Sequence, residues 1–319
     1  MPWAVVLRAG SGPAPSACGG VWPGAPLRTQ LGTEMTSEME EMQERINELE
    51  NMTSCRLVPY SNCAGKDFNN TNLSGMDLTG INFQNAVLTE ANLAGAYLRY
   101  ADLTDADLYG TDLTNAYLRY ADLANADLQD ADLTNAELYF ADLTNAELWY
   151  ADLAGAYLNY ADLTDADFYS ADLTDAYLRY ADLTSADFYI ADLTDANLYS
   201  ADLTNADLGD ADLTDAYLYS ADLTDANLRY ADLTGADLRY ADLTDADLYG
   251  ADLTYADLSY ADLTNANFQD ADLEDATLVE ADLKFAKFSG ATVTDANFDD
   301  TYWHETMWTD GVRYDTNQA

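Results

Sequence analysis

The sequence predicts an all-β solenoid, and three observations lead to this fold class. A five-residue repeat runs without insertion from residue 66 to residue 310, which is 49 pentads. The third residue of every pentad is large and apolar, and the first is small in most of them. The period of five matches neither the 3.6 of a helix nor the 2 of a flat strand. Each pentad therefore forms one short side of a coil, with two side chains inward and three outward.

The inward side chains predict a narrow interior. The first position is Ala in 42 of the 43 pentads from Ala86 to Ala296, and Thr111 is the exception. The third position is mostly Leu. Larger side chains would overpack such an interior, typically at a cost of about 1–3 kcal/mol. We expect successive coils to stack about 4.8 Å apart through backbone hydrogen bonds, leaving no interior cavity for a ligand.

The tandem pattern A(D/N)LXX, as in ADLTD at 101–105 and ADLYG at 106–110, resembles the pentapeptide-repeat family. The resemblance covers residues 66–310 and implies a right-handed quadrilateral β-helix. Four pentads then make one coil of roughly 20 residues, so the chain forms about 12 coils. The square cross-section and the hand follow from the resemblance, because the periodicity alone predicts only a solenoid with two inward positions in five.

The outward side chains differ among the four faces, because pentads four apart stack on one face. Two opposite faces carry ladders of Asp and Thr, which keep the surface hydrated, with weak cation binding as the alternative. The other two faces carry most of the 24 tyrosines. Tyr and Arg are enriched at protein interfaces, although a Tyr ladder also stabilises neighbouring strands. The predicted interaction surface consists of Tyr97, Arg99, Tyr117, Arg119, Tyr157, Tyr177 and Arg179.

Composition excludes several classes of protein. The 319 residues include 13 Lys and Arg against 58 Asp and Glu, a formal charge of −45. Such a chain has no basic stripe for phosphates and is repelled by anionic membranes, so we expect neither nucleic acid nor membrane as a direct partner. The apolar fraction of 49% argues against a disordered acidic chain. No apolar run reaches the length of a transmembrane helix.

The sequence does not predict an enzyme. It contains no P-loop, Rossmann glycines, HExxH motif or paired CxxC motifs. The single histidine, His304, lies beside Glu305 and has no Ser or Cys nucleophile placed with it by a motif. A filled solenoid offers no pocket in which a carboxylate could gain a shifted pKa. We therefore expect no catalytic residue, no cofactor and no metal site.

Two segments precede the solenoid. Residues 1–34 are rich in Gly, Pro and Ala, and we interpret them as disordered or as a non-native leader, with Met35 as a natural start. Residues 35–53 predict a helix, since Ser37 and Glu40 match a capping box. Its apolar stripe has heptad spacing and consists of Met35, Met39, Met42, Ile46 and Leu49. A cap on the solenoid and a homo-oligomerisation helix through residues 35–52 are equal alternatives.

The ends of the solenoid need caps that cover the first and last coils. Residues 54–65 form the predicted N-terminal cap, in which Cys63 is a third-position residue and is expected as a buried free thiol. A Cys55–Cys63 disulfide is the alternative and would indicate secretion, whereas the lack of a signal peptide favours the cytoplasm. Trp303 and Trp308 are expected to close the last coil, before a tail at 311–319.

Two functions fit these features. The first is a rigid acidic solenoid that serves as a structural or protein-interaction module. The second comes from the resemblance, which implies mimicry of B-form DNA and binding to DNA gyrase or topoisomerase. Residues 101–300 hold 45 acidic and six basic residues, roughly one net charge per 1.2 Å, against about 1.7 Å in DNA. The gyrase-directed relatives carry projecting loops and a C-terminal dimerisation helix, and this sequence has neither feature, so we favour the module.

Overall fold

The computed structural model describes residues 55–317, which lie in the compact unit Ser54–Ala319. The predicted leader at 1–34 and helix at 35–53 lie outside the described residues, so both stay predictions. Within the described part, each pentad consists of a short extended segment followed by a two-residue turn. The same unit repeats without insertion from the first coil to Tyr302, as the sequence pattern predicts.

Parallel bridges between coils establish the stacking register. Each bridge joins a residue to the one 20 positions later, from Asn62 with Asn82 to Lys287 with Met307. Four pentads therefore make one turn of the coil, and residues 20 apart lie directly above one another. We call the residues at one pentad position on one face a column. This register decides which outward side chains are neighbours.

The backbone hydrogen bonds of a pentad follow one scheme. N–H groups at the second, third and fifth positions donate to carbonyls of the adjoining coils, as in Leu108 to Asp127 at 2.7 Å. The first position donates to the third-position carbonyl of the preceding pentad, as in Ala106 to Leu103 at 3.0 Å. The fourth position donates to the side chain of the second. Every N–H of a regular pentad thus has an acceptor, as buried backbone requires.

The side-chain acceptor explains why the second position is usually Asp or Asn. The backbone N–H and the hydroxyl of Thr104 both donate to Oδ1 of Asp102, at 3.2 and 2.8 Å. Asn supplies the same acceptor, since the Tyr199 N–H donates to Oδ1 of Asn197 at 3.2 Å. These contacts are Asx turns, in which a short side chain completes a backbone turn. The second-position Asp residues are therefore part of the fold as well as surface charge.

The fifth position of every pentad from Tyr60 to Glu305 has a positive φ. Gly, Asn and Asp adopt this left-handed conformation readily, and they fill many of these positions. Other side chains pay roughly 1–2 kcal/mol there. Tyr100, Phe140 and Ile190 nevertheless have φ values of 59°, 58° and 55°. Ile190 is the most unusual of them, because β-branched residues rarely adopt this conformation.

The core is a continuous stack of third-position and first-position side chains, which are almost completely buried. Phenylalanines enter the Leu columns as stacked partners: the Phe168 and Phe188 rings lie 4.7 Å apart and the Phe268 and Phe288 rings 4.9 Å apart. Thr111, the exception to the Ala column, is also buried, and its hydroxyl donates to the Leu88 carbonyl at 2.8 Å. The interior is thus filled with side chains, as predicted.

The N-terminal cap corrects one expectation. Cys63 is fully buried in the core, but its thiol is not free, because it forms a disulfide with Cys55 across a Cα–Cα distance of 4.7 Å. The expectation failed because it treated an inward Cys63 as out of reach, whereas Cys55 and Leu57 pack against the same core. This disulfide is the alternative that would indicate secretion, and the compartment of the protein stays a prediction.

The C-terminal end closes the last coil with aromatic side chains. Trp303 and Trp308 are each 8% exposed and their rings lie 4.9 Å apart, as the sequence predicts. Part of the predicted tail is ordered as a strand. β1 (Thr306–Met307) and β2 (Arg313–Tyr314) pair in antiparallel fashion. The turn between them reverses the chain over the final coil.

Replacing Asp202 tests the Asx turn, because its Oδ1 accepts the Thr204 N–H at 3.0 Å. Asp202→Asn and Asp202→Ala both remove the charge, but only Asn keeps the acceptor. We expect the Ala variant to have a free energy of unfolding about 1 kcal/mol below that of the Asn variant. Urea unfolding followed by circular dichroism measures the difference. Equal stability of the two variants would contradict a role for this hydrogen bond.

Candidate interaction surface

One face of the solenoid is built from every fourth pentad between Ala96 and Tyr260, and we call it the tyrosine face. It contains all seven residues of the predicted interaction surface. Tyr97, Tyr117 and Tyr177 are 49%, 37% and 40% exposed, and Tyr157 is half-buried. Their exposure makes these rings available to a partner, while the rest of each side chain is covered by the solenoid.

The four predicted second-position tyrosines form two stacked pairs rather than one ladder. The rings of Tyr97 and Tyr117 lie 4.8 Å apart, and those of Tyr157 and Tyr177 lie 4.9 Å apart, with both pairs nearly parallel. Glu137 separates the pairs, since it bridges to Tyr117 below and Tyr157 above. The structure therefore brings the predicted tyrosines together in twos.

The predicted arginines lie on aromatic rings of the same face, though not on the predicted tyrosines. Each guanidinium is within cation–π distance of a neighbouring ring. The shortest contacts join Arg99 to Tyr100 at 4.8 Å, Arg119 to Tyr139 at 4.9 Å, and Arg179 to Tyr199 at 4.9 Å. These contacts orient the arginines along the face and preserve their charge for a partner.

The longest aromatic stack of this face was missed by the sequence analysis. It runs through the fifth positions, with successive ring centroids 5.2, 5.1, 4.9 and 4.9 Å apart. Its members are Tyr100, Tyr120, Phe140, Tyr160 and Tyr180. The signal was present, because pentads such as AYLRY and AELYF end in an aromatic residue. Stacking covers the ring faces, while each of the five side chains stays 40–49% exposed.

A shallow hollow interrupts the fourth-position column of the tyrosine face. Asn159 is the short residue between Tyr139 and Arg179, and it leaves an open cavity of about 530 Å³. The lining consists of Tyr139, Tyr157, Asn159, Tyr160, Tyr177, Arg179 and Tyr180. Ring edges, hydroxyls and one guanidinium suit a side chain with an apolar body and a hydrogen-bonding tip, as is typical of interface anchors.

Two tyrosines that line this hollow have a raised pKa. Burial raises the pKa of Tyr139, and the neighbouring Glu137 carboxylate raises it further. Burial also raises the pKa of Tyr180, with an added contribution from its hydrogen bond with Tyr199. Protonated hydroxyls can both donate and accept hydrogen bonds. Tyr139 and Tyr180 thus offer protonated hydroxyls as polar contacts in the hollow.

The single histidine, His304, lies away from this surface. His304 is exposed near the C-terminal end, with Nδ1 3.3 Å from Asp315 and its ring against Phe285 at 5.1 Å. Across residues 55–317, no group of His, Cys, Asp and Glu could hold a metal ion. The described residues include no helix that is long and apolar enough to cross a membrane.

The face opposite the tyrosine face carries a column of stacked carboxylates. Asp107, Asp127, Glu147, Asp167 and Asp187 bridge to one another in successive coils. Burial raises the pKa of Asp127, and the charges of Glu147 and Asp107 raise it further. Burial likewise raises the pKa of Asp187, with its acidic neighbours adding to the effect. This column therefore stores like-charge repulsion that a cationic partner would relieve.

The coil geometry, the Asx turns and the left-handed fifth position define a pentapeptide-type β-helix. The family model described as pentapeptide repeats (8 copies) matches residues 67–105, 77–115, 96–135, 111–149, 136–175, 151–189, 191–229, 231–270 and 266–302. The chain belongs to the pentapeptide-repeat family. The predicted family and β-helix class are confirmed, whereas the exact number of coils, the hand and the N-terminal helix stay predictions.

Several solved structures are similar to the chain. HetL, a pentapeptide repeat protein involved in heterocyst differentiation regulation in the cyanobacterium Nostoc sp. strain PCC 7120, is 35% identical over 74% of this chain and 92% of its own, with a TM-score of 0.35. A pentapeptide repeat protein from the Arabidopsis thaliana thylakoid lumen is 31% identical over 36% of this chain and 70% of its own, with a TM-score of 0.23. Full-length QnrB1, a plasmid-mediated fluoroquinolone resistance protein, is 14% identical over 78% of this chain and 93% of its own, with a TM-score of 0.27. No curated protein matches the chain.

Asp127→Asn tests the repulsion in the carboxylate column. Asn keeps the acceptor for the Gln129 N–H, which lies 3.1 Å from Oδ1. Because the folded-state pKa is raised, the wild type loses stability as pH rises through that pKa. We expect the variant to be more stable by about 0.5 kcal/mol at pH 7, after solvent screening, and the gain to vanish below the ordinary Asp pKa. Urea unfolding at pH 7 and pH 3.5 measures both; a gain that persists at pH 3.5 would contradict a charge effect.

Proposed function

We propose that the chain is a non-enzymatic, rigid acidic solenoid that serves as a protein-interaction module, with the tyrosine face as its contact surface. The observation that carries the proposal is the aromatic and arginine-bearing surface held in a fixed 20-residue register above a filled interior. The hollow around Asn159 adds a concave region in which a side chain of the partner can be bound. The proposal places the function on the outside of the solenoid.

The stacked rings favour a protein partner for an energetic reason. Binding normally costs free energy because interface side chains lose rotamer freedom. Rings such as Tyr157 and Tyr177 are already held at 4.9 Å by stacking, so they lose little freedom when a partner arrives. Tyr and Arg are also the residues that most often dominate interface energies. The tyrosine face is thus pre-organised as a contact surface.

A fourfold variant tests the tyrosine face. It replaces Tyr97, Tyr117, Tyr157 and Tyr177 with Ser, which removes both stacked pairs and one wall of the hollow. We expect capture of the partner in affinity purification to be lost, while the free energy of unfolding falls by only about 0.2–1 kcal/mol for each pair. Quantitative mass spectrometry of captured proteins and circular dichroism provide the two readouts.

The matched control carries four Thr→Ser changes on a neighbouring Asp/Thr face, at the fourth positions Thr164, Thr184, Thr204 and Thr224. It should capture the same proteins as the wild type, because this face is not part of the proposed surface. If the fourfold Tyr variant also captures them all, the tyrosine face is not the contact surface. If the control alone loses capture, the function lies on the Asp/Thr face.

DNA mimicry is the second candidate, and one observation favours it. The second-position Asp columns run in register through successive coils, as in Asp102, Asp122 and Asp142. Their spacing gives a charge density comparable with that of DNA. Against this, the bridge register runs without a projecting loop from Asn62 to Met307, and the described C-terminal end is a pair of short strands.

A supercoiling assay with DNA gyrase tests the second candidate. Mimicry predicts that micromolar protein changes gyrase activity, and that the effect weakens with added salt because it is electrostatic. The variant that replaces Asp165, Asp175, Asp195 and Asp215 with Asn should reduce the effect, because these fifth-position charges are exposed and Asn tolerates their backbone conformation. An unchanged supercoiling rate with the wild-type protein removes mimicry and leaves the interaction module.

A further inference from the structure

A second exposed aromatic surface lies on the face opposite the tyrosine face, and we call it the tryptophan patch. It consists of Trp149, Tyr150, Tyr169, Tyr189 and Ile190. Four of these side chains are strongly exposed, at 39%, 56%, 39% and 39% for Trp149, Tyr150, Tyr189 and Ile190. Tyr169 lies between them, with ring centroids 6.3 Å from Trp149, 5.7 Å from Tyr150 and 6.1 Å from Tyr189.

The geometry of the tryptophan patch differs from that of the tyrosine face. Tyr169 is tilted by 60° against Trp149 and by 86° against Tyr150, and only its 28° angle with Tyr189 is closer to parallel. Tilted rings expose their faces, whereas the parallel rings of the tyrosine face cover one another. Trp149, Tyr150 and Tyr169 border an open cavity of about 320 Å³, and Asp167 and Asp187 complete its lining. The cavity can therefore take an apolar side chain between aromatic faces.

The backbone conformation at two positions of this patch is unfavourable for the side chains that occupy them. Tyr150 and Ile190 occupy fifth positions with φ values of 59° and 55°. The same column has Gly110, Asp130 and Asp210 in other coils, which suit the left-handed conformation. An exposed Ile at the fifth position is unfavourable for two reasons. It strains the backbone, and it exposes apolar surface to water. Strain of this kind is typical of functional sites.

The charges around the patch indicate what it binds. Glu147, Asp167 and Asp187 stack in successive coils directly beside the rings. Among the described residues, the ion pairs involve other carboxylates, at Asp237, Asp247, Asp257, Asp282, Glu305 and Asp315. A partner with positive charges would pair with this column and also contact the exposed ring faces, which attract cations. A second copy of this chain, with its charge of −45, would be repelled.

We propose that the tryptophan patch docks a basic segment of a protein partner, which inserts an apolar side chain between the rings and lays Lys or Arg side chains along the carboxylate column. The proposal rests on the interaction-module function but uses a different face. It requires both parts of the surface, since charge alone would not distinguish this face from the Asp/Thr faces. The apolar anchor supplies that distinction.

Two synthetic peptides test the proposal. One alternates Arg and Leu over eight residues, and the other alternates Arg and Ser, so that the two match in charge and length. We expect the wild-type protein to bind the Arg–Leu peptide at least about tenfold more tightly, measured by fluorescence anisotropy at physiological salt. The double variant Trp149→Ser with Ile190→Asn should lose this preference and keep its affinity for the Arg–Ser peptide. Equal binding of both peptides by the wild type overturns the proposal.

The fourfold Tyr→Ser variant of the tyrosine face serves as the matched control, and it should keep the full preference for the Arg–Leu peptide. If it loses the preference while the tryptophan-patch variant keeps it, the proposal is overturned and the interaction-module function stands on the tyrosine face. If capture of the natural partner fails in the tyrosine-face variant while the peptide preference persists, the two faces act independently. That result supports both proposals.

Ile190→Asn alone separates a binding role from a structural one. Asn accepts the left-handed backbone, so the variant should melt about 1–3 °C above the wild type. The same change should weaken Arg–Leu peptide binding several-fold, because an exposed apolar side chain of the tryptophan patch is lost. A lower melting temperature would show that Ile190 stabilises the fold, and would overturn the reason for assigning it to a docking surface.

Discussion

The backbone hydrogen bonds between coils determine which side chains of this protein are neighbours. Three N–H groups of each regular pentad donate to the adjoining coils. The bridges join residues that are 20 positions apart in the chain, so these residues lie one coil apart. Once this register is fixed, a residue type that recurs in every fourth pentad forms a continuous column on the surface. The Leu and Ala stack, the Asp ladders and both aromatic surfaces all follow from it. The interior is filled with Ala, Leu and Phe side chains, so the side chains available to a partner lie on the outer faces.

Much of this fold could be predicted from the sequence, because a period of five with two inward positions excludes helices and flat sheets. The large third position and the small first position identified the core residue by residue, and Thr111 proved buried like the alanines around it. Trp303 and Trp308 were identifiable as a cap because they continue the third-position pattern to its end. The prediction of a free thiol at Cys63 was wrong, because the inward orientation of Cys63 does not determine the position of Cys55.

The interaction surface was predictable only in part. Sorting pentads by face found Tyr97, Tyr117 and the other second-position and fourth-position residues, but neither the stack through Tyr100 and Tyr120 nor the tryptophan patch. The stack consists of fifth-position residues, and the tryptophan patch combines the fifth-position Tyr150 and Ile190 with fourth-position rings. The sequence pattern does not reveal the left-handed φ of the fifth position. The Asx turns were hidden for a similar reason, because a repeated Asp looks like surface charge until its Oδ1 is seen to accept a backbone N–H.

The 20-residue register is the central claim, and distances between spin labels test it most directly. Labels at Cys residues introduced at Thr144, Thr184, Thr224 and Thr264, in a Cys18→Ser background, lie in one fourth-position column. Double electron–electron resonance should give separations that increase by about 10 Å for each 40 residues, since coils stack about 4.8 Å apart. A linear increase of this size across the Thr144–Thr224 and Thr144–Thr264 pairs is the predicted result. A different increment, or a distance that stops growing along the column, would contradict the register and every surface derived from it.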